Sequence, residues 1–373
     1  CQVMDFNLNE FQREILDLSD KLLGDYCTQA RLRKAEDTGY FDAELWQQMA
    51  DAGLLGLALP ESLGGMAQDF ETLTVLLEQL GRHVAPVPAL PVLATASLPL
   101  LPYANAACVQ AALRAVCSGE GMLTAALVEP SINKASAPQT RAEGRDGKVY
   151  LTGEKTCVPA GMQASACWTL AQDGSEVGIY LFACEQEGVA RRVQETTNGQ
   201  SLAYFSLDGA QAELLVKGAD VDAVLTAARH YQRAATAALA TGLCEGMLAL
   251  ASEHCSQRQQ FGRALGSFQA VAHQLADCYI DKECLRVASE QAACQLRDGG
   301  DAEESALVAA YWTTEALHRI SHRSQQVHGG TGVDRDYPLF RYCLWARQLE
   351  MDLGGQNSVL AALGSNIVAE HAA

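Results

Sequence analysis

Arg258, Phe261 and Gln269 lie in the stretch Arg258-Gln-Gln-Phe-Gly-Arg-Ala-Leu-Gly-Ser-Phe-Gln269, and residues of these types at a chain break can act on one ligand. An arginine clamps a phosphate through its planar fork, an aromatic ring stacks a purine, and a carboxamide hydrogen-bonds the purine edge. Together they would hold a nucleotide. The same three serve a helical hairpin equally well as cap, core plug and surface polar group, so the residues alone leave both readings open. A second candidate is Gln325-Gln326-Val-His-Gly329-Gly330-Thr-Gly332-Val-Asp334. A glycine cluster at a helix end lets backbone N–H groups approach a phosphate closely, or simply closes the helix with a turn. His322 and His328 read as polar helix residues rather than acid-base groups, and no metal-ligand constellation is visible.

These candidates sit at the ends of long helical runs. Apolar residues at helical period predict Asp220 to Ser256, Phe268 to Leu296, Ala302 to Val327 and Pro338 to Ala373, the last interrupted at Gly354-Gly355. Gly262 and Gly266 break the first two apart as the turn of a helical hairpin. A four-helix C-terminal bundle results. Between Gly121 and Gly218 the period changes to alternation, with strands expected at Met122–Val128, Lys148–Thr156, Ala166–Ala171, Val177–Ala183 and Ser201–Leu207. Gly144-Arg-Asp-Gly147 and Gln172-Asp-Gly174 are hairpin turns, so an antiparallel sheet or barrel is predicted. Upstream, Phe11, Ile15, Leu18, Leu22 and Leu23 line a helical face, Asp42 caps a short helix, and helix resumes from Asp69 to Arg82. The apolar run Pro86 to Tyr103 carries Pro88, Pro91, Pro99 and Pro102 and reads as turns and short helix, not a membrane span. The expected organisation is α+β and multidomain: a helical domain over 4–118, a β domain over 119–217 and a helical domain over 218–373.

The chain of 373 residues is 49% hydrophobic, enough for several well-buried cores. Its net charge of −18 argues against nucleic acid or anionic membrane as a general partner. An anionic ligand would need a local basic pocket. The 13 cysteines have irregular spacing and no CxxC pair, the pattern of reduced thiols acting as small hydrophobes, which fits the cytoplasm.

The Arg258 to Gln269 segment resembles the turn of the acyl-CoA dehydrogenase flavoproteins that reaches the ADP half of the FAD held by a neighbouring subunit. The resemblance extends to Gln326, Gly329 and Gly330, which match the second half of that grip. It extends also to Pro60-Glu-Ser-Leu-Gly64-Gly65 in the N-terminal helices and to the order helix, sheet, helix over essentially the whole chain. In the β domain the match weakens. Where members holding flavin in their own barrel show Thr-Glu-Pro, Gly-Ser-Asp and Trp-Ile-Ser/Thr, this chain has Val128-Glu129-Pro130, Asn133-Lys-Ala-Ser136 and Cys157-Val158-Pro159 after Gly153-Glu-Lys155. A hydroxyl and a backbone N–H are replaced by valine and by proline, which has no N–H. At about 1 kcal/mol for each lost polar contact, tight flavin retention becomes weak.

The family's reaction, α,β-desaturation of an acyl-CoA thioester, needs a glutamate base over the α carbon at one of two positions. Here those positions carry Leu353, before Gly354, and Gln232, before Arg233. Neither side chain accepts a proton from a carbon acid at neutral pH. Glu350 and Asp352 lie nearby and read as surface carboxylates. The resemblance therefore points to the base-lacking subunit of bacterial heterotetrameric (α2β2) acyl-CoA dehydrogenases acting on steroid side chains, paired with a homologous catalytic subunit. It implies FAD shared across the interface, an acyl-CoA substrate and an electron-transfer flavoprotein as acceptor. Two alternatives are a self-sufficient homo-oligomeric dehydrogenase with a relocated base, Glu350 or Glu245, and a scaffold paralogue needing neither ligand.

Overall fold

The computed structural model describes residues 6–130 and 137–372; the expected Asn133–Ser136 departure lies outside the described residues. In chain order, helices α1 (Glu10–Tyr26), α2 (Gln29–Glu36), α3 (Ala43–Asp51), α4 (Phe70–Arg82) and α5 (Ala107–Ser118) come first. Strands β1 (Leu123–Ala126), β2 (Arg141–Arg145), β3 (Lys148–Pro159), β4 (Ala166–Asp173), β5 (Glu176–Ala183), β6 (Val189–Glu195) and β7 (Ser201–Lys217) follow. The rest is α6 (Asp220–Gln257), the short strands β8 (Gln259–Gln260) and β9 (Arg263–Ala264), then α7 (Gln269–Arg297), α8 (Glu303–His328), α9 (Leu339–Asp352) and α10 (Gln356–Ala372). Two compact units form, one from Cys1–Lys34, Asp69–Pro86 and Arg233–Ala373, the other from Ala35–Gln68 and Val87–Gln232.

In the first unit, α1 begins with a reciprocal cap: Asn9 accepts from the Gln12 backbone at 2.8 Å and Gln12 accepts from the Asn9 backbone at 3.0 Å. Asp69 caps α4 in the same way as expected of a helix start, accepting from Thr72 N. Gly242 of α6 and Gly81 of α4 let the two helices pack backbone to backbone. A Cβ on Gly242 would lie 1.7 Å from the Glu78 carbonyl, and one on Gly81 would lie 1.9 Å from the Leu239 carbonyl. Length and apolar composition would let α6 cross a bilayer, but Ala234, Ala235, Ala237, Ala240, Leu243 and Cys244 are buried inside the unit. It is a core helix. The expected fourth helix is broken into α9 and α10 where Gly354 and Gly355 both adopt positive φ.

In the second unit, β4, β5, β7, β3 and β2 close into a ring, with β7 long enough to pair β3 on one edge and β6 then β5 on the other. Alternate residues fill the interior, among them Leu151, Cys167, Tyr180, Phe182, Phe205 and Leu207. The turn Asp146-Gly147 joins β2 to β3 with both residues at positive φ, the mirror-image turn that matches strand twist. The sheet is mixed rather than wholly antiparallel: β1 joins β4 in parallel register from Leu123↔Ala166 to Ala126↔Thr169. Strands β2 and β6, absent from the sequence reading, are largely exposed and polar (Arg-Ala-Glu-Gly-Arg and Val-Ala-Arg-Arg-Val-Gln-Glu). Their pairing partners, not apolar alternation, make them strands.

Candidate functional site

The site begins where α6 ends. Arg258 N donates to the His254 carbonyl at 2.8 Å, and Leu265 N donates to the Arg258 carbonyl at 2.8 Å, closing a small β-hairpin of β8 and β9 in place of the expected helical turn. The hairpin has a two-residue loop, Phe261-Gly262, with φ of 54° and 80°. This geometry suits Asn-Gly; a phenylalanine in left-handed conformation costs about 1 kcal/mol. Phe261 is also 91% exposed, so burial within its own unit does not offset the strain. A ring neighbour is Phe268, edge-on at 6.1 Å, over which the Arg263 guanidinium stacks at 4.0 Å. Gln269 opens α7 and is exposed. Arg258 is exposed too, and its guanidinium makes no ion pair or hydrogen bond among the described residues.

The second segment caps α8. Gly329, at φ 59°, turns the chain and donates its N–H to the Gln325 and Gln326 carbonyls. Gly330 follows with an ordinary φ, and a Cβ there would meet nothing within 4 Å. Neither backbone angle nor packing within the chain asks for glycine at that position; close approach by something outside the chain would. Gln326, Gly329 and Gly330 are exposed. Both segments rest on one apolar cluster, in which Ala251, Cys255 and Val327 are packed with Leu265, Val271 and Leu275. The structure thus brings Arg258, Phe261, Gln269, Gln326, Gly329 and Gly330 to one end of the helical unit. A free cation, a bare aromatic ring and an open glycine fit an anionic, planar ligand such as the ADP half of FAD.

The expected base positions hold no base. Leu353 ends α9 and packs against the cluster of Leu307, Ala310 and Val359. Gln232 is half-buried on α6, and the adjacent Arg233 pairs with Glu303 at 2.8 Å. Glu350 differs from the expected surface carboxylate. Its side chain is 16% exposed, one oxygen accepts from Arg347 at 2.8 Å, and the other lies buried without a hydrogen-bond partner. Burial pushes its carboxyl above the ordinary range, against the pull of Arg347. Glu245 is tied to Lys282 at 2.7 Å. Among the described residues, no group of His, Cys, Asp and Glu could hold a metal.

In the barrel, the motif residues divide by location. Glu129 and Lys155 are buried and paired at 2.6 Å, with the Leu170 carbonyl accepting from Lys155 at 2.8 Å and Thr140 donating to Glu129. Val128 is 47% exposed, and Cys157 is exposed at φ 54°, its N–H spent on Gln194 at 2.8 Å. Of the substituted residues, Val128 and Cys157 are exposed and Pro159 half-buried, whereas Val158 packs into the barrel core.

The "Acyl-CoA dehydrogenase, N-terminal domain" profile matches residues 9–120, and the "Acyl-CoA dehydrogenase, C-terminal domain" profile matches residues 222–368. Acyl-CoA dehydrogenase FadE27 of Mycobacterium tuberculosis is 34% identical over 377 residues, 98% of this chain and 99% of that protein. This chain belongs to the acyl-CoA dehydrogenase family. The family is one of FAD-dependent oxidoreductases, and its three-part fold of helices, β domain and helices is the one described above. Acyl-CoA dehydrogenase FadE28 of the same organism is 32% identical over 324 residues, 86% of this chain and 91% of that protein. Among solved structures, the Tcur3481-Tcur3483 steroid ACAD matches with TM-score 0.90 and 37% identity, covering 98% of this chain and 99% of that one. The ChsE4-ChsE5 complex from Mycobacterium tuberculosis matches with TM-score 0.88 and 32% identity over the same shares. Butyryl-CoA dehydrogenase from Megasphaera elsdenii, at 22% identity and TM-score 0.91, covers 98% of this chain and 100% of its own and shares the fold.

Proposed function

We propose that this chain is the base-lacking subunit of a heteromeric, cytoplasmic acyl-CoA dehydrogenase, and that it completes FAD sites whose reactive ends belong to a homologous catalytic subunit. The observation that carries this reading is the contrast between two places. Arg258 and Phe261 stand free and exposed at one end of the helical unit, whereas the family's base position is a leucine packed in an apolar cluster. In the assembled enzyme the FAD would take up the hydride from the β carbon of the acyl-CoA. This chain's share is grip: Arg258 on phosphate, Phe261 against the adenine, Gln269 and Gln326 as hydrogen-bonding carboxamides, and Gly329 and Gly330 as close backbone. The names of the solved relatives, a steroid ACAD and a two-component complex, favour a bulky steroid-type acyl-CoA and an α2β2 assembly. An exposed apolar stripe on α7, Tyr279, Ile280 and Val287, supplies the surface that a stable oligomer needs to cover. Electron-transfer flavoprotein is the acceptor that the family reading implies.

Co-expression with the catalytic subunit tests the assignment. The complex should be yellow and active, the chain alone nearly colourless and inactive, and Arg258→Ala should weaken FAD binding by about 1.5–3 kcal/mol. Tight flavin and full turnover from the chain alone would overturn it. The half-buried Glu350, whose carboxyl desolvation raises above its ordinary range, favours a second reading, a self-sufficient enzyme with a relocated base. That reading requires turnover by the isolated chain that Glu350→Gln abolishes.

A further inference from the structure

The two halves of the candidate grip come from different helices, and the grip works only if they keep a fixed spacing. Among the described residues, one pair of stacked rings joins them directly. The rings of His254, one turn before Arg258 on α6, and His328, immediately before Gly329 on α8, stack with centroids 4.4 Å apart and an interplanar angle of 29°. The His328 ring is locked from the far side. His328 is 5% exposed, and its Nδ1 lies 2.7 Å from the Ser324 carbonyl, which can only accept, so Nδ1 carries the proton. Its Nε2 is left to accept from the Tyr337 hydroxyl at 3.0 Å. On α6, the backbone carbonyl of His254 accepts from the Arg258 N–H at 2.8 Å, which ties the main chain of the Arg258 turn to the residue carrying the second ring. Aliphatic contacts of Ala251, Cys255 and Val327 lie at the same junction, but they are small and shape-tolerant, whereas stacked rings fix both distance and tilt.

We infer that His254 and His328 are positioning residues whose ring stack sets the spacing between the Arg258 turn and the Gly329 turn, so that the two turns bind the ADP moiety as one edge. This rests on the cofactor-grip reading above and adds to it residues that touch no ligand. Its signature is a loss of cofactor affinity without a loss of turnover once the site is filled, because the strut acts on the grip and not on the reacting atoms.

The test uses the complex with the catalytic subunit, stripped of flavin and titrated with FAD by flavin fluorescence, with turnover then measured at saturating FAD. His254→Ala should raise the FAD dissociation constant about tenfold or more while leaving saturated turnover near that of the parent. His254→Phe, which keeps a ring to stack, should restore affinity. His254→Ala binding FAD as tightly as the parent overturns the inference, as does His254→Phe failing as badly as His254→Ala. Should His254→Ala lower the melting temperature of the complex, the ring-for-ring variant His254→Phe carries the test: retained affinity supports the strut, a tenfold loss overturns it. Arg258→Ala in the same titration separates the two ideas. If it has no effect, the cofactor reading itself fails; if it weakens FAD while His254→Ala does not, only the strut fails.

Discussion

Lys155 Nζ lies 2.6 Å from Glu129 Oε1 in the interior of the barrel, where neither side chain is more than 5% exposed. Each residue belongs to a segment that the sequence resemblance reads as flavin-facing, yet both are buried and serve the barrel itself. This explains how Val128 and Cys157 on the surface differ from the family pattern while Glu129 and Lys155 between them remain. The barrel must fold whether or not it holds flavin.

Breaking this pair should therefore damage folding. Lys155→Met leaves a buried carboxylate with only Thr140 and the Gln139 and Thr140 N–H groups, and should cost roughly 3–5 kcal/mol by denaturant titration. Burial alone would raise the Glu129 carboxyl, but bonding from Lys155 and Thr140 outweighs it and holds the group below the ordinary 4.5. Its contribution is present above that value and is lost as pH falls through the lowered folded value. The parent should lose stability in acid along this limb, and Glu129→Gln should start lower and show a flatter acid limb.

Phe261 should respond in opposite directions to two measurements. Phe261→Asn places a residue that tolerates left-handed backbone at φ 54° and should raise the stability of the isolated chain by about 1 kcal/mol. In the complex, the same change removes the stacking ring and should release FAD. A ring kept only for folding would give a loss in the first measurement, so thermal melting of the single chain is decisive.

The α4–α6 contact leaves no room for a methyl group. Gly242→Ala would put Cβ 1.7 Å from the Glu78 carbonyl, forcing the helices apart, and should cost about 2–3 kcal/mol in melting experiments. Gly330→Ala, by contrast, meets open space and should leave the stability of the isolated chain unchanged while lowering FAD retention in the complex.

Glu78 makes stability depend on pH near neutrality. Burial, reinforced by Glu290 and Glu245, pushes its carboxyl up to about 7 from 4.5. Because the folded value exceeds the unfolded one, the favourable contribution is fully present below 4.5 and lost as pH rises through 7. Glu78→Gln should therefore be more stable than the parent by about 1–2 kcal/mol at pH 8, with the advantage fading as the buffer approaches pH 5. Equal advantage at both pH values would contradict this account.

The longer helices were legible because they follow local rules: Asp42 sits as a cap before an amphipathic run, and Gly354-Gly355 interrupts the last one, whereas α2 and α5 were not read as helices and Asp69 was read as the first residue of α4 when it is its cap. Strands β2 and β6 were not, since Glu143 or Arg191 gives no apolar alternation and only a partner strand makes that backbone extended. The site was legible as residue types and spacing, but not as geometry. Nothing local in Gln259-Gln260 or Arg263-Ala264 announces a β-hairpin between two helices. The His254–His328 stack joins residues far apart in the chain, and a histidine read singly looks like any polar helix residue. Glu350 was misread for the same reason: the Arg347 beside it fits a solvated helix face as well as an ion pair, and only the fold decides which.

The two-residue loop carrying Phe261 has an outcome for the cell as well as for the cofactor. On the proposed heteromeric assembly, a newly made copy would carry that wet ring and the Tyr279, Ile280 and Val287 stripe uncovered until its companion arrives, an adhesive surface open to quality-control proteases and chaperones. Surplus copies should be short-lived, so matched synthesis of the two chains, rather than affinity alone, would set how much enzyme accumulates.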